Sequence, residues 1–235
     1  AALVEATIGT VEKNLLEGAL LVAAVLFWLL GNIRAAIIAT LVIPLSFLFM
    51  AIGMNRFGVS GNLMSLGALD FGLIVDGSII IIENCLLRLA GRQHSEGRLL
   101  TLSERLHEVF EASREMIRPT IYGQAIILLT FAPLLTVTGV EGKTFSPMAI
   151  TVMLALVGAF ILSLTFVPAM VALLIRGKVA EKEVKAVAWF KRGYEPRLRQ
   201  LVARPWPWIG GGVATLAVAA LIFMSLGREF IPTLD

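Results

Sequence analysis

The chain is poor in everything soluble enzymes use most. It has one cysteine, two histidines and two tyrosines in 235 residues, and only 16% of its residues are charged. A single thiol, Cys85, excludes an intrachain disulfide framework. Two histidines, His94 and His107, stand thirteen residues apart and off one helical face, a poor basis for a metal centre. Phosphate-loop, dinucleotide, zinc-protease and nucleophile-elbow motifs are all missing. The net charge is only +3, and its distribution says more than its size.

What the chain has instead is apolar length. Hydrophobic residues make up 57% of it and the mean hydropathy is +0.86, values of a polytopic membrane protein. Six spans can be drawn, at about 15–30, 36–54, 62–85, 119–138, 147–175 and 207–226. The expected fold is an all-α membrane helical bundle with cytoplasmic amphipathic helices. Segment 1–14 is expected to end an outer segment and lead into the first span, and 15–175 to form a five-helix bundle with the cytoplasmic loop 86–118. Segment 176–206 is expected to be a cytoplasmic linking helix, and 207–235 to hold the sixth span and the start of the next outer segment. The chain opens without an initiator Met and closes on Pro232-Thr-Leu-Asp235, so it reads as an internal piece of a longer protein.

Basic residues set the orientation. Sixteen of the 20 lysines and arginines fall on one side: Arg34, six arginines between 88 and 118, and nine basic residues between 176 and 204. The positive-inside rule places that side in the cytoplasm and both termini outside. Within the cytoplasmic loop 86–118, Thr101-Leu-Ser-Glu104 fits a capping box, followed by Leu106, Val109, Phe110 and Ser113 on one face. In the linking helix, Val184, Val187, Ala188, Lys191 and Leu198 form a mostly apolar stripe among basic residues. Trp189, Phe190 and Tyr194 suit headgroup depth, making membrane lipid an expected partner. These basic residues follow topology and give no reason to expect nucleic acid. The outer loop 138–147 reads as a tight turn, with Pro147 opening the next helix.

One apolar span breaks the pattern of the others. Leu63 to Asn84 carries Asp70, Asp76 and Glu83, and a charge at mid-membrane costs about 2.5–3.5 kcal/mol on insertion scales. As one continuous helix it would set Asp70 and Asp76 about 9 Å apart along the axis. Glu83 would lie about 10.5 Å beyond Asp76 on nearly the same face. The acids then form a ladder and not a cluster. Gly67, Ala68, Gly72, Gly77 and Ser78 lie between or beside them and let neighbouring helices approach. The expectation is a central helix with its acids turned from lipid, working as a proton relay. Structural carboxylates satisfied by neighbouring hydroxyls are the plainer alternative. Hard-cation coordination needs oxygens converging on one point, and an aspartyl protease needs aspartates on facing helices. Met50 and Met54, one turn apart, suit packing better than a soft-metal pair.

The stretch Leu69-Asp-Phe-Gly-Leu-Ile-Val-Asp-Gly-Ser-Ile-Ile-Ile-Ile-Glu-Asn84 resembles the fourth-span signature of the resistance–nodulation–division exporters, more narrowly their cobalt–zinc–cadmium heavy-metal branch. The resemblance extends through Lys13-Asn-Leu-Leu-Glu-Gly18, Gly139-Val-Glu-Gly-Lys-Thr-Phe-Ser-Pro-Met148, Phe166-Val-Pro-Ala169 and Glu229-Phe-Ile-Pro-Thr-Leu-Asp235, covering essentially the whole chain. It implies the second to seventh spans of an inner-membrane permease of Gram-negative bacteria, a homotrimer joined to a periplasmic adaptor and an outer-membrane channel. Such permeases use no cofactor and are not enzymes: entering protons drive export of divalent metal cations. Asp70, Asp76 and Glu83 match the family's three relay acids, and the third, Glu83, favours the divalent-metal branch. The first span, both periplasmic domains and spans eight to twelve are outside this chain. A drug or lipid exporter of the same superfamily, or a scaffold without turnover, are the alternatives.

Overall fold

A computed structural model describes residues 2–59, 70–179 and 185–225. Every regular element among them is helical: α1 (Ala2–Leu30), α2 (Ile33–Phe57), α3 (Phe71–Glu96), α4 (Leu102–Phe131), α5 (Gly139–Leu164), α6 (Phe166–Leu174), α7 (Lys185–Ala203) and α8 (Pro205–Ser225), with a 3-10 turn at Ala132–Leu135. The all-α expectation therefore holds. Three helices are long and apolar enough to cross a membrane, Ile33–Phe57, Glu141–Leu164 and Pro205–Met224, with a shorter apolar stretch at Leu16–Leu30. These are counted among the described residues, and the span drawn over 62–85 lies partly outside them.

Local chemistry explains where the helices start and stop. Gly31 takes the left-handed region with φ 59°, and Asn32 caps α2 by accepting hydrogen bonds from the backbone N–H groups of Arg34 and Ala35. Gly97, with φ 66°, ends α3, and four residues later Thr101 and Glu104 form the expected capping box of α4. Segment 86–118 is thus mostly the end of α3 and the start of α4. Two boundary expectations fail. Pro147 lies inside α5, which already begins at Gly139. The span drawn over 147–175 breaks at Thr165, since Pro168 has no N–H to donate to the carbonyl of Leu164.

The chain forms two compact units, Ala1–Val184 and Lys185–Asp235. In the first, α3 packs against α1, α2, α4, α5 and α6. Its core draws Ala35, Ile38 and Val42 from α2, Ile81, Ile82 and Leu89 from α3, Leu156 from α5 and Val171 from α6. Glycines admit the closest crossings. A Cβ at Gly158 would meet Phe49 Cβ at 2.8 Å, and one at Gly53 would meet Leu154 Cδ2 at 2.9 Å, so α2 and α5 touch almost backbone to side chain. Phe71, the first residue of α3, wedges between Gly18 of α1 and the Phe47 ring of α2, 5.7 Å away. In the second unit, Trp189 and Phe190 stack edge to face at 4.9 Å and lie exposed on α7 with Tyr194. Val184 of the expected stripe lies outside the described residues.

Candidate functional site: the acid face of α3

The three acids do not share one helix. Asp70 is the N-cap of α3, with extended backbone (φ −94°, ψ 111°), and its carboxylate accepts a hydrogen bond from the Gly72 N–H at 2.7 Å. A Cβ on Gly72 would lie 3.0 Å from Asp70 Oδ1, so a glycine there lets the carboxylate fold over the helix end. The ladder expectation is corrected at its outer rung: Asp70 crowns the helix and is not embedded in it. Its negative charge also complements the positive end of the helix dipole.

Asp76 and Glu83 do lie on α3, seven residues and about 10.5 Å apart. Both are exposed in this chain, on a stripe shared with Ile80 and Leu87. The opposite face, with Ile74, Val75, Ser78, Ile81, Ile82, Cys85 and Leu89, is buried. The expectation that α3 is central holds, but the acids turn out of this bundle and not into it. Gly77 and Ser78 serve the packed side, whereas Gly72 is exposed. Gly77 admits α4 and α5: a Cβ there would stand 3.4 Å from Thr120 Cγ2 and 3.5 Å from Ser163 Oγ. Ser78 is fully buried, and neither its hydroxyl nor that of Thr120 has a hydrogen-bond partner. Gly67 and Ala68 lie outside the described residues.

Below Glu83 the helix becomes ionic. Asn84 Nδ2 donates to the Ala112 carbonyl at 2.8 Å and to Glu115 at 3.2 Å. Arg88 pairs with Glu115 and reaches Glu108 at 3.5 Å, while Arg92 binds Glu96 at 2.6 Å. Arg98 then bridges Glu96 and Glu104. The Arg88 guanidinium, aided by the Asn84 amide, holds the Glu115 carboxyl below the usual carboxylate range. Arg98 and the Thr101 cap pull Glu104 down to about 2. This network was missed from sequence, although Arg88 and Arg92, and Glu104, Glu108, Glu111 and Glu115, repeat at helical spacing.

Among the described residues, no three His, Cys, Asp or Glu side chains gather into a metal site. Met54 and Met50 belong to packing: Met54 Sδ lies 3.8 Å from Thr151 Oγ1 across the α2–α5 crossing, and Met50 is buried. The arrangement can therefore carry charge along one face of a helix but has no closed coordination sphere of its own.

Comparison with known proteins accounts for this plan. The model of the AcrB/AcrD/AcrF family matches residues 1–235. The chain belongs to that family. Over 233 residues, 99% of this chain, it is 67% identical to the nickel and cobalt resistance protein CnrA of Cupriavidus metallidurans. It is 54% identical to the cobalt-zinc-cadmium resistance protein CzcA of the same organism, again over 99% of the chain. A crystal structure of a heavy metal efflux pump matches all of the chain at 37% identity with a TM-score of 0.77, and the match covers 21% of that pump. The chain spans about a fifth of the length of these relatives, 22% of both CnrA and CzcA. The resemblance to heavy-metal efflux proteins of this family therefore rests on the whole of this chain but on a part of theirs.

Proposed function

We propose that this chain is the acid-bearing part of the membrane domain of a proton-driven exporter of divalent metal cations, of the nickel, cobalt, zinc and cadmium class. One observation carries the reading: an apolar bundle helix presents Asp76 and Glu83 on an open stripe, in a chain 67% identical to a nickel and cobalt resistance protein. Such carboxylates are costly beside hydrocarbon and are kept where protons or ions pass.

In this mechanism Asp76 is the principal protonation site. Asp70, at the outer end of α3, hands protons in, and Glu83 passes them toward the ionic network of Asn84, Arg88 and Glu115. Each protonation removes a charge and changes which packing of α3 is preferred. A membrane potential of 100 mV adds about 2.3 kcal/mol for each charge that crosses. The open stripe is covered in the full-length protein by helices outside this chain. That protein works in the inner membrane as a homotrimer, with a periplasmic adaptor and an outer-membrane channel as partners, and as a transporter and not an enzyme.

The test compares metal tolerance of cells carrying the full-length gene with cells carrying its Asp76→Asn form, across nickel, cobalt, zinc, cadmium, copper and silver. Wild type is expected to protect against a divalent subset, and Asp76→Asn to lose that protection at equal expression. Protection undiminished in Asp76→Asn would remove Asp76 from the relay. No protection by wild type against any metal would remove the substrate class.

A further inference from the structure

The chain that leaves α6 is gripped by side chains from three other helices. Arg34 of α2 donates through Nη1 to the Leu174 carbonyl at 3.3 Å, and Arg105 of α4 to the Ile175 carbonyl at 3.4 Å. Gln93 of α3 makes two bonds. Its Nε2 donates to the Gly177 carbonyl at 3.1 Å, and its Oε1 accepts from the Val179 N–H at 2.9 Å. The segment bends at Gly177 and lies in a socket: Ile175 and Val179 are buried, Gly177 is half-buried, and Arg176 and Lys178 are exposed. The primary amide of Gln93 offers one donor and one acceptor to alternate residues, as a neighbouring strand would. An asparagine falls one methylene short, a glutamate lacks the donor, and a leucine lacks both.

Stability alone is a poor account of this socket. Arg105 is 7% exposed, its Nε has no hydrogen-bond partner, and no carboxylate among the described residues pairs with it. Burying a guanidinium that way is costly. Gln93 also shares α3 with Asp76 and Glu83. The helix between Asp76 and Gln93 contains no proline and is about 25 Å long, a stiff lever.

We propose that Gln93 is a positioning residue that ties the acid-bearing helix to segment 174–179, so that a change at Asp76 is delivered to the chain running on toward α7. The proposal rests on the reading above in one respect, that Asp76 changes its charge state during the cycle. A shift or rotation of α3 that follows neutralisation moves the Gln93 amide, and the two bonds carry Gly177 and Val179 with it.

Hydrogen exchange of the full-length protein in nanodiscs tests this without any metal. Peptides covering 174–179 are followed in wild type, Asp76→Asn, Gln93→Leu and the double variant. Loss of the Gln93 bonds is expected to speed exchange at Val179 about tenfold. Asp76→Asn is expected to change exchange across the segment about threefold or more in the wild-type background, and to have no such effect in Gln93→Leu. An Asp76→Asn form with unaltered exchange at 174–179 overturns the proposal, and so does an effect of the same size with Gln93→Leu in place. Should Gln93→Leu fail to fold, Gln93→Glu keeps the acceptor for Val179 and loses the donor to Gly177. It is expected to weaken the coupling, and full coupling in that variant overturns the proposal. Metal flux of the same variants in sealed proteoliposomes reports on export separately, so loss of either result identifies which reading has failed.

Discussion

The Arg88 guanidinium on α3 closes on the Glu115 carboxylate on α4, its Nε donating at 3.2 Å, four residues before the proline inside α4. That pair and the Asn84 amide fix the register of the two helices where the chain turns from apolar to charged. The same ionic stretch ends at Glu104, whose carboxyl is held at about 2 by Arg98 and the Thr101 cap.

Acid should therefore loosen this end of the bundle. Glu104 and Glu115 both have folded-state values depressed below the ordinary 4.5. Their contribution is fully present above that value and is lost as pH falls through the folded value, for Glu104 between about 4.5 and about 2. Thermal unfolding in detergent from pH 6 to pH 2 should show this loss. Glu104→Gln should flatten part of it, and an unchanged profile in that variant would remove Glu104 as its source.

Asp70 can be separated into cap and relay. Asp70→Ala removes the acceptor for the Gly72 N–H and should cost about 1 kcal/mol of stability. Asp70→Asn keeps a cap acceptor and should retain that stability, but it cannot exchange a proton and should lose metal tolerance in the full-length protein. Full tolerance in Asp70→Asn would leave Asp70 a cap only.

Glycines at crossings and glycines facing open space should respond oppositely. Gly158→Ala places a methyl 2.8 Å from Phe49 Cβ, which moves only with its backbone, and should cost about 1–3 kcal/mol. Gly53→Ala meets the flexible end of Leu154 and should cost less. Gly91 and Gly123 have nothing within 4 Å of an added Cβ, so alanine at either should add about 0.5–1 kcal/mol. Melting temperatures of the four variants in one detergent check the order.

Glu83 should matter in kind and not only in charge. Glu83→Gln removes proton exchange while keeping size and polarity at the boundary with the Asn84–Glu115 network. In the full-length protein it should lower proton-coupled metal flux without lowering expression. Flux equal to wild type would place the proton exit elsewhere.

Much of this was legible in local signals. The capping box at Thr101 and Glu104, the apolar length of α2, α5 and α8, and the gathering of acids into one apolar stretch are properties of neighbouring residues. Proline was legible only as a disturbance. Pro44 and Pro119 leave their helices continuous, whereas Pro168 accompanies a break at Thr165, and spacing alone does not separate the cases.

The sequence by itself determined that this protein is helical, that it suits a membrane, and which helix bears the acids. Hydropathy, caps and charge act over a few residues, so they can be read in order along the chain. Only the tertiary structure decided that Asp76 and Glu83 face outward and that Arg34, Gln93 and Arg105 hold segment 174–179. Those outcomes join residues 70 to 140 positions apart, or depend on which side of a helix its neighbours cover. No local pattern encodes which partner arrives.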